Sequence, residues 1–394
     1  MDYRKNVTRI YIIIFFHNLI PAYVIERIYW QDRGMTVMMV VLCEIVFAIT
    51  IVISEIPTGI VADKFGRKKL LVLAGFLSML EMIVLLFAYS FWTFAFAVFL
   101  AGIAGACVSG AMNALLYDSL AAGKQEDRFE RIVGRINSID FIAAILAALL
   151  GSVLGKRFGF EIPYILSAVS MFIAFVLTIF LHEPPREKLV HKTDVSKVRI
   201  KDYVIQSFSF YRSHPRLVSL LLQAMTVSAG ITYLDEFWQL YLYETGYTIL
   251  FFGVFSALIS LARIPGNLLA ARLLCYLKAD TIVLLVLSMI SVGFFMTAIF
   301  PGRIGVVVVI CMFLASGVVE PVTVGYVHHR VSSSIRATVD SFQSLLERTI
   351  SLFIGLGFGY IATKLSVVVG FAFLGAVSFL ILGWYIVKSH PIKT

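Results

Sequence analysis

Long apolar runs alternate with short polar breaks along almost the whole chain. Twelve runs are long enough to cross a bilayer as a helix, which takes about 20 residues. They lie near 9–30, 36–58, 69–89, 92–121, 134–155, 162–182, 216–243, 248–271, 280–300, 304–327, 338–362 and 366–388. Between the sixth and seventh runs the pattern stops. The break is basic and polar, with Pro184-Pro185 followed by Arg186, Lys188, Lys192, Lys197, Arg199 and Lys201. The pattern therefore predicts an all-α membrane protein with twelve transmembrane helices. An N-terminal six-helix bundle over 1–182 is joined by a linker at 183–215 to a C-terminal six-helix bundle over 216–394. Within the linker, Tyr203 to Tyr211 is predicted to form a short helix lying on the membrane surface.

Composition supports this reading. The chain of 394 residues is 60% hydrophobic and 14% charged, against roughly 25% charge in a soluble domain. It has too little polar surface to coat a globule in water, so lipid is its main environment. The net charge of +9 gains its meaning from where the bases lie. With both termini in the cytoplasm, the inner segments hold 25 of the 33 Lys and Arg, which is the expected inward bias. The charge is thus a topology signal for a cytoplasmic-membrane protein and not a nucleic-acid footprint. The apolar run after Arg4, Lys5 and Arg9 lacks a small-residue cleavage site and is expected to be a membrane helix. The four cysteines, Cys43, Cys107, Cys275 and Cys311, sit in apolar runs. No CxxC or Cys/His spacing calls for a metal, and no cofactor is implied.

The two halves repeat weakly. Arg33-Gly34-Met35-Thr36 before the second span matches Thr245-Gly246-Tyr247-Thr248 before the eighth. Ile56-Pro57-Thr58-Gly59 likewise matches Ile264-Pro265-Gly266. Pseudo-symmetric halves with a site between them near the midplane are a transporter arrangement.

The second span ends in Gly59 to Lys69, GIVADKFGRKK. So many charges must be delivered to water. Asp63 and Arg67 are four apart, so in a helical turn they share a face and can pair. The stretch also resembles the signature loop between helices 2 and 3 of the major facilitator superfamily, through Gly59, Ala62, Asp63, Lys64, Gly66, Arg67 and Lys68. That resemblance implies the major facilitator fold. It also implies a conformational latch in which Gly59, Asp63, Gly66 and Arg67 join Asp118 at the end of the fourth span, with Arg131 and Arg135 near by. The corresponding loop of the second half is a degenerate copy, with Ala270, Ala271 and Arg272 where an acid would stand. Two exporter marks are missing: no base lies in 96–102 of the fourth span, and no Gly-Pro pair in 142–155 of the fifth. The direction of transport stays open on these residues.

Charges inside the spans are the candidate chemistry. Glu44 and Glu55 are eleven apart on one face of the second span, and Glu44 is the deeper. A carboxylate removed from water favours its protonated form, as proton coupling requires. Asp235-Glu236 lies among Tyr233, Phe237, Trp238 and Tyr241 in the seventh span, a setting that suits a cationic, amphipathic ligand or an interfacial aromatic belt. Glu320 precedes Pro321 at a plausible hinge, Asp340, Gln343 and Glu347 share a stripe, and Arg263 needs a partner, which Glu347 or Glu320 would supply. Asn18 and Tyr23, with His17, are polar positions of the first span, and Glu81 in the third is given no role. His328-His329 is the one cluster that a membrane enzyme would use, and it fits a basic inner loop better. No GxxxxGK[ST] loop is present, which argues against an ATP-driven step in this chain.

The first reading is a monomeric, proton-coupled exporter of small amphipathic or cationic compounds, similar to bacterial drug exporters and not an enzyme. The runner-up is an uptake symporter or facilitator for a metabolite. Expected partners are the small-molecule substrate, protons and the lipid bilayer.

Overall fold

The computed structural model describes residues 4–109, 111–184, 215–328 and 336–389. The predicted surface helix at Tyr203 to Tyr211 and His329 lie outside the described residues. So do the side chains of Asp63, His328 and Asp340. Twelve helical segments among the described residues are long and apolar enough to cross a membrane.

The first six are built from α1 (Arg4–Asn18), a 3-10 turn (Pro21–Ile25), α2 (Glu26–Asp32), α3 (Val37–Phe65), α4 (Arg67–Leu86), α5 (Phe91–Val108), α6 (Ala111–Ala121), α7 (Phe129–Phe158) and α8 (Glu161–Ile179). The second six are α9 (Pro215–Glu244), α10 (Ile249–Leu274), α11 (Ala279–Ile299), α12 (Arg303–Ser316), α13 (Val319–His328), α14 (Arg336–Lys364) and α15 (Val367–Ser389). Three predicted spans are each broken into shorter pieces. The first breaks at Pro21, which has no N–H to give the preceding turn. The fourth breaks after Val108. The tenth breaks at Gly317, so Glu320 and Pro321 fall in the first turn of a new helix, where proline is tolerated.

Contacts divide the chain into two units. The first is Met1–Val190 with the opening turns Thr248–Ala257 of α10, and the second is His191–Tyr247 with Leu258–Thr394. In the first unit α4 packs on α5 and α8, and α3 on α5. In the second, α11 packs on α12 and α15, and α9 on α14 and α15. Each core is apolar and aromatic. Phe358 of α14, for example, stacks on Tyr233 and Phe371 and tilts against Phe237. Apolar side chains also cover the outside, such as Trp92, Leu268, Phe353 and Leu380. An exposed apolar coat of that extent requires a lipid solvent.

The weak repeat has a structural counterpart. Gly34 and Gly246 both adopt positive φ, +88° and +85°. In each turn the glycine N–H donates three residues back and the next N–H donates five back: Gly34 to Gln31 and Met35 to Trp30, Gly246 to Tyr243 and Tyr247 to Leu242. Both are Schellman caps, which close a helix with a left-handed residue. Neither glycine has an atom within 4 Å of where a Cβ would stand. Conformation alone therefore selects glycine. Gly34→Ala and Gly246→Ala are each expected to cost about 1–2 kcal/mol, read as a few degrees of melting temperature in detergent, without loss of the fold.

Candidate functional site

Both units bury charge, in different ways. In the second unit a cavity of about 690 Å³ opens among α9, α10, α13 and α14. Helical spacing on α9 puts Ala224, Ser228, Ile231 and Asp235 along one stripe, and all four line this space. Glu236 also reaches it. α10 supplies Arg263 and Asn267, the first turn of α13 supplies Glu320, and α14 supplies Gln343 and Glu347. Among the described residues, four carboxylates thus share the space with one guanidinium, between apolar walls that include Met225, Val319 and Val324.

Arg263 pairs with Asp235, Nη2 to Oδ2 at 2.9 Å. This corrects the expectation that Glu347 or Glu320 would serve. Both side chains of the pair are about two-fifths exposed. Arg263 also lies over the Phe313 ring, 4.8 Å from its centroid. Ser228 donates its hydroxyl to Glu347. Arg263 is positioned by a close crossing of α10 with the end of α12. A Cβ on Gly266 would collide with the Leu314 carbonyl oxygen, and one on Gly317 would stand 2.6 Å from the Arg263 carbonyl oxygen. The glycine of Ile264-Pro265-Gly266 is therefore a packing requirement.

The expected aromatic surround is not built. Tyr233 is buried, donates its hydroxyl to the Ser351 carbonyl at 2.9 Å and stacks on Phe358. Trp238 is 4% exposed and packs in the core. Neither lines the cavity. For Tyr233 the reason is angular, since two positions from Asp235 on α9 is about 200° around the helix; Trp238, three positions on, is buried without reaching the cavity.

In the first unit Glu44 is already paired. Arg27, 5% exposed, reaches Glu44 at 2.7 Å and Glu26 at 3.5 Å, and its guanidinium lies 4.9 Å from the Trp30 ring centroid. Trp30 in turn donates to the Tyr164 hydroxyl at 3.2 Å. Glu81, buried on α4, stands close enough to Glu26 to interact electrostatically. It was missed because a single acid in an apolar run has no spacing to read. Asn18 donates its amide to the Ile14 carbonyl at 3.0 Å within its own helix, and Tyr23 is exposed on the 3-10 turn. Glu55 is exposed on α3.

The charged loop is a tight corner. Gly66, at φ +105°, ends α3, and α4 starts at the next residue. Asp63 and Arg67 are therefore on different helices, so the expectation of a shared helical face does not hold. Arg67 instead reaches α6, where Nη1 donates to the Ala114 carbonyl at 2.8 Å and pairs with Asp118. A further acid completes the corner. Glu183 accepts from the Arg67 N–H at 2.9 Å and the Lys68 N–H at 2.6 Å, capping α4 with a carboxylate. Its position directly before Pro184-Pro185 looked like the start of a linker, which hid its role.

Twelve apolar helices with an apolar coat make a multi-pass membrane protein, and its second unit holds an acid-rich cavity. The Major Facilitator Superfamily model matches residues 10–356, and the chain belongs to that family. Among curated proteins, it is 27% identical over 209 residues to an uncharacterized transporter of Buchnera aphidicola, covering 50% of this chain and 51% of that protein. It is 26% identical over 226 residues to the multidrug resistance protein MdtG of Salmonella paratyphi B, covering 56% of this chain and 52% of that protein. The chain thus spans about half the length of these relatives. Among solved structures, a point mutant of the nucleoside transporter NupG superposes with a TM-score of 0.81 at 13% identity, covering 98% of this chain and 100% of that one. A bacterial homolog of the human lysosomal transporter Spinster gives 0.72 at 16%, covering 99% and 97%. At such identities the likeness concerns the fold.

Proposed function

We propose that this transporter exports small amphipathic or cationic compounds against protons, by alternating access, as a monomer in the cytoplasmic membrane with both termini inside. The observation that carries the reading is the second unit's cavity, where four carboxylates face one arginine between apolar walls. That excess of acid attracts a cation, and the apolar walls accept the rest of an amphipathic molecule. Carboxylates that face one cavity give a proton and a cation the same place to bind. Exchange of that proton for a cationic substrate is the coupling step: the site holds one or the other. Asp235, Glu236, Glu320 and Glu347 are the exchanging groups, and Arg263 positions Asp235. The likeness to MdtG, a multidrug resistance protein, adds support at low identity.

The test uses purified protein in liposomes loaded with acid and a pH-sensitive dye. A panel of lipophilic cations, nucleosides, sugars, amino acids and organic acids is added outside. Proton efflux on addition of lipophilic cations is the expected result. Proton movement together with the compound would replace this reading with uptake by symport, and compound flux without protons would replace it with a facilitator. Under the export reading, Asp235→Asn combined with Glu347→Gln reduces cation-driven proton flux at least tenfold, while the protein elutes as the wild type does on size exclusion. Unchanged flux in that variant would remove the second unit's cavity as the exchange site.

A further inference from the structure

A second cavity, of about 400 Å³, lies in the first unit at the end that carries the start of α1. Its walls come from α1, the end of α6 and the start of α7. Arg128, Arg131 and Arg135 all line it. Arg131 and Arg135, four apart, share a face of the α7 start, and Arg128 ends the 3-10 turn Glu126–Arg128 just before it. Glu126, Asp127 and Glu130 are close in sequence, yet no carboxylate is among the residues that line this space. No ion pair to any of the three arginines occurs among the described residues. Three guanidinium groups on one cavity repel each other, and like charges at this spacing destabilise a helix.

The floor is also unsatisfied. The Tyr11 hydroxyl is buried without a hydrogen-bond partner and lines the same cavity. The buried neighbours Asn6 and Ser119 are occupied, as is Arg9. Asn6 donates to Ser119 at 2.9 Å and to the His182 carbonyl at 2.8 Å, and Arg9 donates to the Phe180 carbonyl at 2.6 Å. Ser119 gives its own hydroxyl to Leu115. Tyr11 is the exception, and an orphaned buried donor costs about 1–3 kcal/mol unless something accepts its proton.

We propose that this cavity binds a phosphate group, with Arg128, Arg131 and Arg135 as the charge clamp and the Tyr11 hydroxyl as the inner donor. Arginine forks match phosphate oxygens two at a time. The volume fits a phosphate with a small attached group. An inward bias of bases would explain three arginines at this end of the bundle, whatever way they point. It does not explain their convergence on a cavity with an orphaned hydroxyl at its floor. A phosphate here would come from an anionic lipid headgroup at the bilayer edge or from a soluble phosphate ester. The site is separate from the acid-rich cavity and does not depend on the export reading.

The test uses the full chain. Phosphatidylglycerol adducts are counted by native mass spectrometry after release from nanodiscs, with phosphatidylcholine as control. Glycerol 3-phosphate and inorganic phosphate are titrated calorimetrically into delipidated protein. The variants are Arg131→Gln with Arg135→Gln, which changes exposed side chains only, and Tyr11→Phe, which keeps the ring. The expected result is that one probe binds the wild type and binds the double variant at least tenfold more weakly, with a smaller loss for Tyr11→Phe. Loss confined to phosphatidylglycerol assigns a lipid headgroup, and loss confined to the soluble probes assigns a phosphate ester. Equal binding of every probe to the wild type and both variants, or no binding of any, would overturn the site.

Discussion

Arg67→Ala is expected to lower transport more than tenfold while leaving the protein folded. Arg67 ties the α4 start to α6 through the Ala114 carbonyl and Asp118, and Glu183 fixes its backbone N–H. The alanine variant frees α6 from this corner and leaves Asp118 without its partner. The two side chains are about one-quarter exposed, so solvent moderates the stability cost to about 1 kcal/mol. We propose that this corner forms and releases during the transport cycle, so the larger effect is expected on transport. Arg67→Lys keeps the charge but not the planar fork, and should recover only part of the activity. Asp118→Asn should match Arg67→Ala, and the double variant should lose little more than either single one, as partners in one interaction do. Transport in liposomes is the readout, with melting temperature as the control. Full flux in Arg67→Ala would reduce this pair to local capping.

Gly266→Leu is expected to abolish folded protein. A Cβ at Gly266 would collide with the Leu314 carbonyl oxygen and stand 3.1 Å from the Gly317 Cα. Both obstacles are main chain, so a flexible side chain cannot yield. Overpacking usually costs about 1–3 kcal/mol. Gly266→Ala should reach the upper end of that range, and leucine should exceed it. Gly59→Ala is the informative contrast. Gly59 belongs to the family's signature loop, yet nothing lies within 4 Å of its added Cβ. Alanine there should stabilise by about 0.4–1 kcal/mol, because it removes glycine's conformational freedom inside α3 without a clash. Monodisperse yield and thermal inactivation in detergent distinguish the two. A stable Gly266→Leu variant would mean that α10 and the end of α12 can separate without cost.

The apolar pattern determined the class and the twelve spans, and the motif between Gly59 and Lys69 carried the family resemblance, because each rests on local rules. A bilayer demands about 20 apolar residues per crossing, a charged end must reach water, and Gly66 must turn where a Cβ would be strained. The repeat around Gly34 and Gly246 was legible for the same reason, since a Schellman cap is written in a few adjacent residues. The breaks near Pro21 and Gly317 were partly legible, because proline and glycine mark them without stating which turn fails.

Partners were not legible. Glu183 lies 116 residues from Arg67, and Asp118 lies 51. Arg263 chose Asp235 over Glu320 and Glu347 because the crossing at Gly266 and Gly317 sets its direction. Tyr233 and Trp238 read as cavity residues beside Asp235, but Tyr233 lies about 200° around the helix from it and Trp238 is buried outside the cavity. Only the packing of α9 on α14 and α15 decided which side would be core. Glu44 read as a lone carboxylate until α2 brought Arg27 to it. The convergence of three arginines on one cavity, with the Tyr11 hydroxyl at its floor, needed α1, α6 and α7 to be in place. Spacing along a chain fixes which residues share a face of one helix. Which face meets which neighbour depends on crossings between helices far apart in sequence, and that information exists only once the bundle is packed.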